Sequence, residues 1–193
     1  MTRPPTFDPV GLLRILVKHH VDMVVIGGLG ATIHGAELPT GDIDIMYALD
    51  DQNIQRLAAA LLELEASSAD FPGLVTDDLP ALLSGSDLWR WQTKCGNFDM
   101  MSSASGAPPY MELKARALKV RLERVTVTVA TLDDLIAMKE TTGRRKDASK
   151  LRELMDLRQT INQAAAPPSP RTPHPLSSRG PRRKPPDMRR PGR

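Results

Sequence analysis

The sequence is poor in cysteine, in aromatic residues and in long apolar runs, and each shortage excludes a class of protein. A single cysteine, Cys95, cannot form an internal disulfide, which excludes a disulfide-stabilised secreted scaffold. Aromatic residues make up 4% of the chain, so aliphatic side chains and alanine must fill the core. No run approaches the roughly 20 apolar residues that cross a bilayer, and the first residues lack the apolar segment of a secretory signal. We therefore expect a reduced, cytoplasmic protein without a membrane anchor.

Charge and proline divide the chain into two parts. Residues 164–193 contain eight lysines and arginines, one acidic residue and nine prolines. The net charge of +3 therefore separates into +7 in this segment and −4 in residues 1–163. A segment so rich in proline and so poor in apolar side chains cannot bury enough surface to offset its ordering entropy. We predict one folded domain over residues 1–163 and a basic, disordered tail over residues 164–193.

Periodicity and capping residues predict the elements of the folded domain. Short apolar or alternating runs predict strands over residues 23–26, 42–47, 88–93, 97–101, 119–122 and 125–129. Helical spacing, with caps at Asp8, Asp50 or Asp51, and Thr131, predicts helices over residues 9–20, 29–34, 50–66, 79–83, 110–116, 131–141 and 146–161. Trp89 and Trp91 fall on one strand face, where packing is favoured over a base-stacking role.

Gly27 and Gly28 stand between a predicted buried strand and a predicted short helix. Residues without side chains let the backbone approach a ligand closely, and the N–H groups that begin a helix attract anions. Glycine is also common at such turns for steric reasons alone. By itself, the pair is a weak indication of a phosphate site.

Asp42 and Asp44 alternate with apolar residues on the second predicted strand, so both carboxylates project from one face. Like charges held this close raise one pKa unless a cation lies between them, and Mg²⁺ suits oxygen ligands. An isolated pair of this kind also occurs on solvated edge strands.

The thirteen residues between Gly28 and Asp42 leave room for one short helix and a return to the sheet. The glycine turn and the paired acids at this interval indicate a phosphate site beside a metal site more specifically than either feature alone.

Two stretches of sequence carry a resemblance to a known family. IGGLGATIHG over residues 26–35 precedes TGDIDI over residues 40–45, and DLIAMK over residues 134–139 precedes GRRKD over residues 143–147. Together they resemble the nucleotidyltransferase superfamily, and especially its AbiEii and MenT-type toxins, over roughly residues 20–160. The resemblance implies an α/β (α+β) nucleotidyltransferase-type fold, with a small mixed sheet flanked by helices.

The resemblance also implies roles for the matching residues. Asp42, Asp44 and Asp99 would hold one or two Mg²⁺ ions, and Asp99 is alternatively the base for an attacking hydroxyl. Lys139, the fourth catalytic candidate, would bind nucleotide phosphates as a point charge. Related proteins often carry arginine where this chain has Leu38. The further candidates for nucleotide binding are Gly27, Gly28, Thr40, Arg144, Lys146 and Asp147, of which the last three fit a structural role equally well.

The activity implied by the resemblance is Mg²⁺-dependent nucleotidyl transfer (EC 2.7.7 type). The relatives add nucleotides, often CMP, from a nucleoside triphosphate to the 3′ end of tRNA, which blocks aminoacylation, and they have a cognate antitoxin as partner. The basic tail suits an RNA acceptor, although a merely solubilising tail explains it equally well. Two alternatives stay open. The same site would modify a protein by AMPylation or a small molecule such as an aminoglycoside, or the chain would be a non-catalytic module that binds RNA or a protein partner.

Overall fold

The computed structural model describes residues 7–71, 79–83, 87–143 and 148–165. In these ranges the helices are α1 (Pro9–Lys18), α2 (Gly27–Ile33), α3 (Asp51–Glu63), α4 (Leu79–Leu83), α5 (Tyr110–Arg116), α6 (Leu132–Thr142) and α7 (Ala148–Ala165). The strands are β1 (Met23–Ile26), β2 (Asp42–Tyr47), β3 (Ser67–Ser68), β4 (Leu88–Thr93), β5 (Gly96–Met101), β6 (Leu118–Leu122) and β7 (Val125–Val129). The predicted disordered tail spans residues 164–193, and residues 166–193 lie outside the described ranges.

The strands form one mixed sheet in the order β3-β4-β5-β2-β1-β7-β6. β2 pairs antiparallel with β1 and parallel with β5, while β1 pairs parallel with β7. β3 and β4, β4 and β5, and β6 and β7 form antiparallel pairs. The strand that carries Asp42 and Asp44 is therefore central, and the prediction of an α/β domain with a mixed sheet flanked by helices is confirmed.

Two apolar cores lie on opposite faces of the sheet. On one face, α1, α3 and α4 pack against side chains that include Ile43, Ile45, Trp91 and Phe98. On the other face, α2, α5, α6 and α7 contribute to a smaller core around Val24, Ile26, Met46, Leu135, Ile136 and Leu154. This second layer does not cover β4, whose alternate side chains are exposed on that face. Trp89 and Trp91 are buried and stacked with ring centroids 5.7 Å apart, which confirms their packing role.

Capping side chains set the helix starts as predicted. Asp8 accepts a hydrogen bond from the Gly11 N–H at 2.8 Å, and Asp50 accepts one from the Asn53 N–H at 2.9 Å. Thr131 accepts a third from the Asp134 N–H at 3.2 Å. Each bond satisfies a backbone donor that the first helical turn leaves without a partner.

Several predicted boundaries were wrong for local backbone reasons. α1 ends at Lys18 and α3 at Glu63, earlier than predicted, and the chain then takes positive φ angles at His20 and Glu65. α7 continues to Ala165, past the predicted end of the helix at residue 161. β3 was not predicted, since two serines carry no alternation of polar and apolar side chains.

Among the described residues, no helix has the length and apolar character needed to cross a membrane.

Candidate active site

The start of α2 brings the backbone against two predicted site residues. Gly27 has a φ of 63°, and a Cβ at this position would collide with the carboxylate of Asp44. A Cβ on Gly28 would lie 2.8 Å from Oγ1 of Thr40. The predicted turn is therefore the first turn of α2 itself, which begins at Gly27 instead of Leu29. Both glycines make room for polar side chains of the same chain.

Three aspartates share one face at the middle of the sheet. Asp42 and Asp44 project from one face of β2, while Ile43 and Ile45 are fully buried on the other. The parallel pairing of β2 with β5 places Asp99 directly beside Asp44. Because neighbouring strands lie about 4.8 Å apart, the three acids share one small region of the sheet.

Burial and like charges make this region costly to ionise. Burial, followed by the charges of Asp42 and Asp99, raises the pKa of Asp44 to about 6, although the Gly28 N–H and Lys139 act in the opposite direction. Burial and the charge of Asp42 also raise the pKa of Asp99, against the effect of Arg90. The predicted rise of a pKa in the Asp-x-Asp pair is confirmed, and burial is its largest cause.

The donor set suits a hard divalent cation, because it consists of carboxylate oxygens whose mutual repulsion a cation would relieve. Among the described residues, no three His, Cys, Asp or Glu side chains are gathered closely enough to hold a metal ion by themselves. Mg²⁺ in nucleotide enzymes commonly uses one or two carboxylates and completes its shell with water and substrate phosphates. The residues present therefore fit a metal ion that arrives with a phosphate ligand.

A cavity of about 870 Å³ opens over the carboxylates. Ligand pockets commonly measure about 300–1,000 Å³, so this one can admit a nucleotide-sized molecule. The structure brings together on its walls every predicted site residue that it describes: Gly27, Gly28, Thr40, Asp42, Asp44, Asp99 and Lys139. The predicted residues Arg144, Lys146 and Asp147 lie outside the described ranges.

Thr40 contacts one of the carboxylates. Its Oγ1 donates to the carbonyl oxygen of Asp42 at 2.9 Å and lies 3.2 Å from Oδ1 of the same residue. The hydroxyl thus fixes the backbone at the start of β2, and Thr40 also forms part of the cavity wall. His34, by contrast, has Nε2 2.8 Å from the Ala130 carbonyl oxygen, so its ring joins α2 to the end of β7.

Lys150 is a cavity residue that the sequence did not single out. It lies in the first turn of α7, four residues before the buried Leu154, which also lines the cavity. Residues four apart share a helix face, so this spacing could have identified Lys150 as a neighbour of the core. With Lys139 of α6, it gives the described cavity wall two cationic side chains in addition to four acids, Asp42, Asp44, Asp87 and Asp99.

The helix that carries Lys139 is fixed at its start by a buried acid. The Asp134 side chain is 7% exposed and accepts a hydrogen bond from Nη2 of Arg116 at 2.6 Å. Its other oxygen accepts a bond from the Thr131 hydroxyl, also at 2.6 Å. In the usual capping box the acid binds the backbone N–H of the cap residue, whereas here it binds the cap side chain. The arrangement ties α6 to the end of α5.

Comparison with known proteins gives distant structural similarities. No family model matches the sequence, and no curated protein is significantly similar to it. TM1012 from Thermotoga maritima, described as a nucleotidyltransferase candidate, is 13% identical with a TM-score of 0.42, over 82% of this chain and 97% of that one. Two structures of the antibiotic-resistance factor ANT(2'')-Ia are also similar.

The first ANT(2'')-Ia structure, determined in solution, is 10% identical with a TM-score of 0.48, over 80% of this chain and 91% of that one. The second, a crystal structure in complex with adenylyl-2''-tobramycin, is 11% identical with a TM-score of 0.47, over 80% and 95%. Because these similarities are distant, the functional argument rests on the residues of this chain.

Proposed function

We propose that the chain is a metal-dependent nucleotidyltransferase. The observation that carries the proposal is the convergence of Asp42, Asp44 and Asp99 from two adjacent strands into a cavity that Lys139 and Lys150 also line. Carboxylates beside cationic side chains suit a polyphosphate with its metal, because the acids bind the metal and the lysines bind the phosphates. The resemblance of the sequence motifs to nucleotidyltransferases gives independent support.

In this proposal, Asp42 and Asp44 would hold Mg²⁺ together with the triphosphate. Mg²⁺, when bound, would supply Lewis-acid neutralisation of the phosphate oxygens. The raised pKa of Asp99 makes it a stronger proton acceptor for an attacking hydroxyl than an ordinary carboxylate. The hydroxyl oxygen forms a bond to the α-phosphorus, and the bond from that phosphorus to the oxygen bridging to the β-phosphate breaks. Lys139 stabilises the leaving pyrophosphate.

For the acceptor, we propose the 3′ end of tRNA, with CMP as the nucleotide added. The motif resemblance and the basic residues 164–193 support this choice, because lysine and arginine clusters bind RNA by releasing counterions from its phosphates. Such a modification would block aminoacylation and make the protein a toxin. A cognate antitoxin follows from the same resemblance and remains a prediction. The cytoplasmic location expected from the single cysteine and the lack of long apolar runs also remains a prediction.

The experiment is to incubate the purified chain with total tRNA, Mg²⁺ and each α-³²P-labelled nucleoside triphosphate in turn. We expect label in tRNA, most strongly from CTP, and no label with Asp42→Ala/Asp44→Ala. A matched control is Asp51→Ala, which removes an exposed acid outside the cavity, in the first turn of α3, and should leave labelling unchanged.

The other outcomes separate the alternatives. Label in protein or in an added aminoglycoside, with none in RNA, would replace the proposed acceptor while keeping the reaction. Absence of label together with absence of metal-dependent triphosphate binding would overturn the transferase proposal and favour a binding module.

A further inference from the structure

Among the residues that the structure describes, β4 is covered on one face only, because its side chains alternate between exposed and buried. On the covered face the tryptophans of β4 are buried, as are Phe98 and Met100 of β5. On the other face β4 exposes alternate side chains: Leu88 is 47% exposed and the Arg90 side chain 56%. We refer to the exposed residues Leu88, Arg90, Gln92 and Asn97 as the open shelf.

Strand register joins the open shelf to the three carboxylates. Asp44 pairs with Asp99 across β2 and β5, and Asp99 pairs with Arg90 across β5 and β4. One position away on the same face, Asp42 pairs with Asn97, which pairs with Gln92. Each step across the sheet is about 4.8 Å, so the shelf begins on β5 beside Asp99 and continues onto β4. Leu88 also lines the cavity, so cavity and shelf are continuous.

Arg90 is held in place on the shelf by Asp70. Its Nε donates to Oδ2 of Asp70 at 3.2 Å, and Nη2 donates to Oδ1. A guanidinium carries five N–H donors in a fixed plane, so these two bonds orient the group. The charge beside Asp99 is therefore positioned by the protein before any ligand arrives.

We infer that the open shelf binds the single-stranded 3′ end of an RNA acceptor, with a backbone phosphate on Arg90 and the terminal hydroxyl at Asp99. This inference rests on the proposed function. A guanidinium matches phosphate geometry and charge, while the amide side chains of Gln92 and Asn97 suit hydrogen bonds to base edges or ribose hydroxyls. An extended polar face beyond the cavity suits an acceptor that is itself extended.

The test uses the full chain and a short, labelled, single-stranded RNA with a free 3′ hydroxyl. Its dissociation constant is measured by fluorescence anisotropy without triphosphate, over a series of salt concentrations. For Arg90→Gln, we expect the dissociation constant to rise by about tenfold, because a charge-assisted contact is lost. The slope of log affinity against log salt should fall by about 0.7, the value for one phosphate contact on single strands. In transfer assays the KM for RNA should rise, and that for triphosphate should not.

Two further variants distinguish RNA binding by the open shelf from general effects of charge and folding on RNA affinity. Arg121→Gln removes an exposed arginine from β6, at the other end of the sheet, and should leave RNA binding unchanged. Gln92→Glu adds a negative charge to the shelf without altering the pair of Arg90 and Asp70, and should weaken RNA binding. Thermal unfolding of each variant verifies that the fold is retained.

The outcomes distinguish this inference from the proposed function. If the RNA affinities of Arg90→Gln and Gln92→Glu equal that of Arg121→Gln, the inference is overturned, even when the parent protein labels RNA. If the parent labels no RNA but both shelf variants bind RNA more weakly, the RNA-binding shelf stands and the proposed transfer to the 3′ end of tRNA fails. A parent protein that does not bind RNA at all overturns the shelf directly.

Discussion

The Asp44 carboxylate lies against the α-carbon of Gly27, so closely that a side chain at position 27 would collide with it. The antiparallel register of β1 and β2 places Ile26 opposite Asp44, and Gly27 follows at once with a φ of 63°. The neighbouring Gly28 contributes a backbone hydrogen bond to the same carboxylate. The glycine turn and the acidic strand therefore form one structural unit.

Gly27→Ala should destabilise the protein by at least about 2 kcal/mol, because it combines a positive φ with the collision at Asp44. The expected change is a lower urea midpoint at an unchanged slope, together with weaker metal-dependent triphosphate binding. Gly41→Ala is the matched stability control, since a Cβ there meets no atom within 4 Å. Its stability should change by no more than about 0.5 kcal/mol. Equal losses of stability in the two variants would show that the close approach of Gly27 to Asp44 does not require glycine.

Asp44→Asn should stabilise the protein near neutral pH while abolishing transfer. The folded-state pKa of Asp44 is about 6, against an ordinary value of 3.8, so the folded state binds this proton more tightly than the unfolded state. The stabilisation from the protonated group is complete below the unfolded value and is lost as pH rises through 6. An uncharged asparagine avoids that loss, so the gain at about pH 7 should be about 1–3 kcal/mol. Chemical denaturation at about pH 4 should show little gain in the free energy of unfolding. An equal gain at about pH 4 and about pH 7 would contradict the raised pKa of Asp44.

Metal binding should follow the ionisation of the same carboxylate. Added Mg²⁺ with ATP should raise the melting temperature at about pH 7 more than at about pH 5, because protonation of Asp44 competes with the metal. Chelation of the metal should remove the shift, and Asp44→Asn should show little of it at either pH. Differential scanning fluorimetry measures all of these. A full shift in Asp44→Asn would exclude this residue as a metal ligand.

Much of the fold could be predicted because its determinants are local. The caps at Asp8, Asp50 and Thr131 and the alternation around Ile43 act within a few residues of the elements they define. The two-residue strand β3 has no such pattern, because its place depends on pairing with β4. Helix ends were less accurate, since a change to positive φ at a residue such as His20 leaves no clear mark in hydrophobic spacing.

The site could be predicted only in part. The shared face of Asp42 and Asp44 follows from strand geometry, whereas the choice of Asp99 rested on family resemblance, and only the register of β5 places it beside Asp44. Lys150 and Arg90 reach the site through helix and strand packing over long sequence separations, which local patterns do not specify. The contacts that require glycine at position 27 are likewise tertiary.

The adjacent acids Asp133 and Asp134 should differ sharply in their contribution to stability. Asp134 is buried and binds both Arg116 and the Thr131 hydroxyl, so Asp134→Ala should lower the free energy of unfolding by about 2–3 kcal/mol. The Asp133 side chain is 76% exposed and pairs with Arg158, so Asp133→Ala should cost no more than about 0.5 kcal/mol. Because α6 carries Lys139, Asp134→Ala should also raise the KM for triphosphate under conditions where the protein is still folded. Urea titration with steady-state kinetics measures both effects, and similar stabilities for the two variants would show that the bonds of Asp134 do not anchor the helix.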